Sequence, residues 1–312
     1  MDEEFCRRVD GEWGRWIQER AEAKSWSLAM PLISLEMYFH RRLLDCCGYF
    51  GDVSCQDEGE KERVLVDPFE AMKLEALDSA LGSGAFKMSL AQHLAHVRPL
   101  HASLRALWSE DSQDRTRFYG TLGSSSLPDF FESLRKHVGS ALKSSLWGNR
   151  GDLALAPGDR TNTQEASRIE ASENAHGRVD KHMLVDDSEA VFEHLLEVGK
   201  ERGSAKTAID VILDNSGIEL LFDLMLADLA LAYGLAAQVR LHAKGEPLFL
   251  SDAMPRDIAS HVSAMEASED ADVRELGGRV RGWIESGGLL VVSHQFWTVG
   301  PVCAFLALQG LE

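Results

Sequence analysis

The sequence contains no apolar run of about 18 residues, which is the length a transmembrane helix requires. Its first ten residues, MDEEFCRRVD, are charged and lack the apolar centre of a secretory signal peptide. We therefore expect neither a membrane span nor a secretory leader. Hydrophobic residues make up 45% of the 312 residues and charged residues 26%, so the chain has the composition of a globular protein of one large or two ordinary domains.

Basic residues are also scarce. The chain has 32 Lys and Arg against 50 Asp and Glu, which gives a formal net charge of −18. Binding to nucleic acid depends on clustered Lys and Arg that contact phosphates, so this composition argues against a nucleic-acid partner. It does not argue against a small anionic substrate, because a bound metal ion can hold such a substrate.

Cysteine is infrequent, and its five positions follow no regular spacing. An odd number of cysteines without a CxxC pair argues against both a disulfide framework and a cysteine metal site. We therefore expect reduced thiols and a cytoplasmic protein, with a nuclear location as the alternative.

The chain divides into three parts by pattern. Residues 1–148 carry apolar residues at helical spacing and predict a helical N-terminal domain, whose aromatic residues we assign to packing. Residues 149–183 are polar, without a sustained period, and predict a long loop. Residues 184–312 predict an α/β domain.

Strand and helix patterns alternate in the third part, after a short apolar run at Met183–Val185. The predicted strands are 208–213, 238–243, 248–250 and 289–292. The predicted helices are about 217–233, 255–266 and 273–284, the last one ended by Gly287 and Gly288. Such alternation predicts a mainly parallel sheet. The fold class is α/β, with a helical N-terminal part and a Rossmann-like α/β/α sheet in three layers.

Two predicted strands end in carboxylates. Asp214 and Asn215 directly follow the strand at 208–213, and Asp252 follows the run at 248–250. Ligands of open α/β sheets bind at the carboxyl ends of the strands, and oxygen ligands suit hard divalent cations. These three residues are therefore candidate metal ligands and catalytic residues. The alternative is structural: a strand-end turn at Asp214 and Asn215, and a helix cap at Asp252.

The helix after Asn215 begins with a possible capping box, in which Ser216 is the N-cap and Glu219 the third helical residue. Free amides at residues 216–218 could then hold a phosphate, which makes Ser216 and Gly217 candidate substrate contacts. Asp223, one turn beyond Glu219, fits a supporting role in packing better than a metal ligand.

Further polar residues follow the other strands. Lys244 could pair with a phosphate or with the carboxylates, so it is a candidate substrate contact. His242 fits a supporting role, while His294 and Trp297 could line the same rim. The glycine-rich segment 81–85 follows a helical pattern and not a strand, so it does not qualify as a nucleotide-binding loop.

Several segments resemble the damage-control phosphatases, in particular subfamily III, also called acidic-residue or protein-glutamate O-methyltransferase 1-like. The most specific match is the Asp-Asn-(Ser/Ala)-Gly-x-Glu-Leu core. The matching segments are ILDNSGIELLFDLMLADLAL, LHAKGEPLFLSDA and SHQFWT, with MPLISLEMYFHRRLL, DPFEAMKLEAL, SSLWGNRGDLAL and HMLVDDSEAVFEHL upstream. Together they cover roughly residues 10 to 300.

The resemblance implies a helical part joined to a three-layer α/β sheet, and a metal-dependent phosphatase acting on sugar phosphates and related metabolites. Its divalent metal would be Mn²⁺ or Ni²⁺, with Co²⁺ or Mg²⁺ possible. By the resemblance Asp214, Asn215 and Asp252 hold the metal, and Asp214 and Asn215 also contact substrate.

The sequence departs from the family in one respect. After the Phe-Trp-Thr segment the family has a Lys-Gly-Asp-x-Asn motif and an Arg-Thr-x-Lys motif, and neither occurs here. On this basis we expect an incomplete sheet and weaker phosphate binding. Three hypotheses follow: a phosphatase, an S-adenosylmethionine-dependent protein-glutamate O-methyltransferase, or a non-catalytic metal-binding pseudo-enzyme.

Overall fold

A computed structural model of the chain describes residues 32–47, 49, 67–98, 127–149, 183–202 and 207–293. Within these residues the helices are α1 (Leu32–Cys46), α2 (Glu70–Gly82), α3 (Gly84–Val97), α4 (Leu127–Gly148), α5 (Ser188–Arg202), α6 (Ile218–Ala232), α7 (Pro255–Glu266) and α8 (Ala271–Glu285). The strands are β1 (Ala208–Ile212), β2 (Gln238–Ala243) and β3 (Leu289–Ser293). The predicted α/β class is confirmed, with helix predominating.

The strands form an open parallel sheet in the order β1-β2-β3. Ile209 pairs with Val239, and Val239 pairs with Leu289. Parallel pairing places the carboxyl ends of β1 and β2 at the same edge of the sheet, which is the edge where the candidate site residues follow.

Helices cover one face of this sheet in the part of the chain that the structure describes. Val239, Leu241 and Leu289 are buried on that face, whereas Ile212 on the opposite face is 57% exposed. Within the described residues a helix layer therefore packs on one side of the sheet, whereas the predicted three-layer arrangement has helices on both sides.

Helix α6 lies at the centre of the core. It is buried almost all round, which fits a helix enclosed by other elements. One hydrophobic cluster contains Leu90 from α3, Val138 from α4, Leu220 from α6 and Val280 from α8. The predicted helical half and the α/β half thus share a core. No described helix is long and apolar enough to cross a membrane.

One predicted strand does not form. Residues 248–250 make a turn, because Phe249 and Leu250 adopt the left-handed conformation, with φ of 51° and 61°. The run Met183–Val185 is not a strand either, and Leu184 and Val185 are exposed. Residues 81–85 span the end of α2 and the start of α3; Ser83 lies between the two helices and its hydroxyl caps α3, as the helical context of this segment suggested.

A histidine cluster lies between α3, α4 and α6. His137 stacks against His93 and His96, at ring-centroid distances of 5.5 Å and 4.4 Å, and lies 6.3 Å from the Tyr233 ring. His93 Nε2 is 2.8 Å from a carboxylate oxygen of Asp228, which also accepts hydrogen bonds from α8. Burial, with the neighbouring histidines, lowers the pKa of His137 to about 3, so this ring is neutral in the folded protein.

Candidate functional site

The site lies where β1 and β2 end. Asn215 and Asp252 form an isolated antiparallel bridge. The backbone N–H of Ala253 donates to Asp214 O at 2.7 Å, and the N–H of Ser216 donates to Ser251 O at 2.7 Å. Main-chain hydrogen bonds thus hold the segment after β1 against residues 251–253, which follow β2, and they bring Asp214, Asn215 and Asp252 close together.

The Asn215 side chain is held on all sides. Its Nδ2 donates to Asn149 Oδ1 at 2.8 Å and to Glu219 Oε2 at 2.9 Å. The Ser251 hydroxyl donates to Asn215 Oδ1 at 2.6 Å. These contacts fix which end of the amide is oxygen, and one lone pair of Oδ1 remains for a further partner.

The predicted capping box is wrong. The helix begins at Ile218, and its N-cap is Gly217 with φ of 82°, a conformation that glycine adopts without the penalty of a side chain. Glu219 accepts its hydrogen bond from the Asn215 side chain. The Ser216 hydroxyl is buried and has no hydrogen-bond partner. Because Glu219 is bound to the Asn215 side chain, Ser216 and Glu219 do not adopt the geometry of a capping box.

The amides of Ser216 and Gly217 already have partners. The Gly217 N–H donates to His261 Nε2 at 2.9 Å, while His261 Nδ1 donates to Asp257 O at 2.7 Å. Burial lowers the pKa of His261, which agrees with a neutral ring that accepts at Nε2. The expectation that these two amides hold an anion is therefore wrong, because both N–H groups already donate to partners in the protein.

Asp252 is buried to nearly the same extent as Asn215, with 3% and 2% of the residue exposed. Burial raises its pKa to about 7, against the positive charge of Lys244, and the negative charge of Asp214 adds to the rise. Lys244 Nζ lies 3.2 Å from Asp252 Oδ2, yet this oxygen receives no hydrogen bond of acceptable geometry. Asp214 itself is exposed. The two carboxylates repel each other and leave acceptor capacity for a cation.

Asp223 lies behind this pair. It is buried and accepts a hydrogen bond from Ser145 Oγ at 2.5 Å. Burial raises its pKa to about 6, against that hydrogen bond, and the charge of Asp214 adds to the rise. Its buried position and its bond to Ser145 agree with the supporting role that the sequence suggested.

Lys73 is a buried residue that the sequence analysis did not single out. Its Nζ donates to Asp252 O at 2.7 Å and to Asp257 Oδ2 at 2.8 Å, and it lies 3.1 Å from Asp67 Oδ2. Lys73 stands four residues from Phe69 and four from Leu77, both buried. A charged residue at a helical position that the spacing assigns to the buried, apolar face was the signal in the sequence that could have identified Lys73.

The end of α4 reaches the site, although Asn149 was predicted to begin the polar loop. A Cβ added at Gly148 would lie 2.6 Å from Glu219 Cα, so only glycine permits this approach of α4 to α6. The approach places Asn149 against Asn215. Sequence patterns do not show this contact, because it joins residues 66 positions apart.

The turn before Asp252 carries backbone strain. Phe249 and Leu250 both have positive φ, which costs of the order of 1–3 kcal/mol for each residue. The Phe249 ring packs 5.5 Å from the His40 ring of α1, and the adjoining Leu248 is buried with Met37 and Leu44. Contacts from α1 therefore hold the strained turn that delivers Ser251 and Asp252.

The remaining candidates lie elsewhere. His242 Nε2 pairs with Asp210 Oδ1 at 2.7 Å on the exposed sheet face. His294, Trp297 and residues 150–182 of the polar loop lie outside the described residues. Asp252 is not a helix cap, because Met254 is the N-cap of α7 and Asp257 accepts its N–H.

The side chains suit an oxygen-liganded divalent cation. Asp214 and Asp252 offer carboxylate oxygens and Asn215 an amide oxygen, and the buried Asp252 Oδ2 lacks a hydrogen bond. Within the described residues, no three His, Cys, Asp or Glu side chains converge closely enough to hold a metal by themselves. An ion here would therefore also need Asn215 and ligands that are not protein.

Fold and site together define an open parallel α/β protein with an acidic, oxygen-rich centre at its strand ends. The model of the damage-control phosphatase ARMT1-like domain matches residues 15–308, so the chain belongs to that family.

Curated relatives agree with this assignment. The chain is 26% identical over 293 residues to damage-control phosphatase ARMT1 of Mus musculus, covering 94% of this chain and 57% of that protein. It is 32% identical over 168 residues to damage-control phosphatase ARMT1 of Danio rerio, covering 53% of this chain and 36% of that protein. The matches thus span 57% of the mouse protein and 36% of the zebrafish protein, less than two thirds of either relative.

Proposed function

We propose that the protein is a metal-dependent phosphatase that hydrolyses phosphate monoesters of small metabolites, with sugar phosphates as the first class to test. The observation that carries this proposal is the bridge between Asn215, which follows β1, and Asp252, which lies in the segment after β2; it brings Asp214, Asn215 and Asp252 together. Membership of a family named for phosphatases supports the reaction class.

In this proposal Asp214, Asn215 and Asp252 hold one divalent cation, with Mn²⁺ or Ni²⁺ as first choices and Co²⁺ or Mg²⁺ next. The ion supplies Lewis acidity toward a phosphate oxygen and lowers the pKa of water. In hydrolysis, oxygen of water bonds to phosphorus, the ester P–O bond breaks, and the products are the alcohol and inorganic phosphate. Lys244 and the Ser216 hydroxyl are the groups proposed to orient the phosphate.

The chain's own residues would keep this centre in place. Glu219 and Asn149 hold the amide of Asn215, and Lys73 holds the backbone of Asp252. This pre-organisation favours catalysis, because polar groups already in position need not reorganise during the reaction.

The methyltransferase alternative receives less support. The turn between β1 and α6 contains a single glycine, Gly217, and not the glycine-rich loop usual for that class. Micromolar binding of S-adenosylmethionine would reverse this order.

The test is phosphate release from a panel of sugar phosphates with Mn²⁺ present. Asp214→Ala is expected to lose roughly 100-fold or more of the activity, because it removes a ligand oxygen from the centre. Asp210→Ala is the matched control: Asp210 lies within β1, four residues before Asp214, on the exposed face of the sheet, where it is paired with Arg240. Equal activity of Asp214→Ala and wild type would contradict the assignment.

A further inference from the structure

Lys244 carries a nearly buried ammonium group at the centre of the site. Its side chain is 16% exposed, and that of its partner Asp252 is 5% exposed. The backbone N–H of Lys244 donates to Ala253 O at 2.9 Å, which fixes the residue beside the Asp252 segment. A buried ammonium needs a negative partner, and in this structure that partner is Asp252.

The ion pair is incomplete. Nζ lies 3.2 Å from Asp252 Oδ2 without acceptable hydrogen-bond geometry. In contrast, Lys73 makes well-formed hydrogen bonds of 2.7 and 2.8 Å on the other side of the same segment. Lys73 is therefore fixed by contacts with the backbone and with Asp257, whereas Lys244 is held by one charge contact that a stronger cation could replace.

We propose that Lys244 is an internal counter-cation that exchanges partners: it neutralises Asp252 when no divalent ion is bound, and it turns to the substrate phosphate when an ion takes Asp252. This inference rests on the proposed function, since it uses the same cation site. A cation that binds Asp252 displaces the ammonium, and the displaced ammonium then attracts an anion. Cation and phosphate consequently promote each other's binding, because coupling between two ligands is reciprocal.

The experiment measures binding and not turnover. Mn²⁺ affinity is determined from the electron paramagnetic resonance signal of the free ion, with and without inorganic phosphate, for wild type and Lys244→Met. Wild type is expected to bind Mn²⁺ about fivefold or more tightly when phosphate is present. Lys244→Met is expected to bind Mn²⁺ more tightly than wild type without phosphate, and to lose most of the gain from phosphate.

Lys87→Met is the matched control, because Lys87 Nζ also lies 3.2 Å from an aspartate oxygen, that of Asp270, at an exposed position. It should behave as wild type. If Lys244→Met fails to fold, Lys244→Gln takes its place. A merely structural role of Lys244 predicts the opposite change, weaker Mn²⁺ binding in the variant.

The outcomes separate this inference from the proposed function. Weaker or unchanged Mn²⁺ affinity in Lys244→Met, or the full gain from phosphate in that variant, overturns the exchange while leaving the phosphatase proposal in place. Coupled binding in a protein that releases no phosphate from any monoester supports the exchange and removes the phosphatase proposal. Absence of Mn²⁺ binding by wild type overturns both.

Discussion

Lys73→Met is expected to destabilise the folded protein by about 3–5 kcal/mol, the usual cost of removing one partner from a buried ion pair. The substitution leaves Asp257 and Asp67 with less positive charge in the interior, and it removes the hydrogen bond to Asp252 O. Methionine has a similar length, so lost packing contributes little. The measurement is equilibrium unfolding in guanidinium chloride.

Lys136→Met is the control for this variant. Lys136 Nζ pairs with Glu132 at 3.2 Å on the surface of α4, where its side chain is 75% exposed. Surface pairs of this kind contribute less than about 1 kcal/mol. A Lys73→Met protein that unfolds within about 1 kcal/mol of wild type would show that Lys73 is not the structural anchor of the Asp252 segment.

His137→Phe is expected to reduce the loss of stability at acid pH. The pKa of His137 is lowered to about 3 in the folded state, against an ordinary value near 6.5. Between pH 3 and pH 6.5 the unfolded chain therefore binds a proton at His137 that the folded chain does not bind. The stability contributed by the neutral ring is complete above pH 6.5 and is lost as the pH falls toward 3.

Between pH 7.5 and pH 4.5, the free energy of unfolding is expected to fall by about 2 kcal/mol less in His137→Phe than in wild type. This value is reduced for partial exposure of the ring. Asp223 and Asp252 have raised pKa values and act in the opposite direction, so the wild-type curve alone does not isolate His137. The measurement is the difference in unfolding free energy between His137→Phe and wild type at both pH values. Phenylalanine keeps an aromatic ring in the stack with His96.

The exposed residue His194 provides the control, because its replacement by Phe leaves the histidine cluster intact. His194→Phe should change the pH dependence little. A wild-type protein and a His137→Phe protein with parallel stability curves would contradict the assignment of a neutral, buried ring.

The parts of the fold that were predicted correctly rest on local signals. The position of Asp214 after an apolar run, with a strongly apolar helix following, indicated a strand end next to a helix start, and β1 and α6 confirm it. The predicted helix at 255–266 matches α7, which has Pro255 in its first turn, and Gly287, with φ of 75°, follows the end of α8. Helix α4 was visible from its apolar spacing alone.

The parts that were missed depend on tertiary contacts. The Ser216 and Glu219 pattern fits a capping box locally, but the side chain of Asn215 binds Glu219 in the folded protein. Residues 248–250 have strand propensity, yet Phe249 and Leu250 adopt a left-handed turn, in which the Phe249 ring packs against His40 of α1. Lys73 reaches Asp252 across 179 positions of sequence, which no local pattern could show.

The most direct test of the central hypothesis is a calorimetric titration of the metal-free protein with Mn²⁺, comparing wild type with Asp252→Asn. Wild type is expected to bind a single ion, and Asp252→Asn is expected to bind it more than about tenfold more weakly, since the variant loses a carboxylate ligand. An Asp252→Asn protein that binds Mn²⁺ as tightly as wild type, or a wild-type protein that binds none, would contradict a cation site formed by Asp214, Asn215 and Asp252.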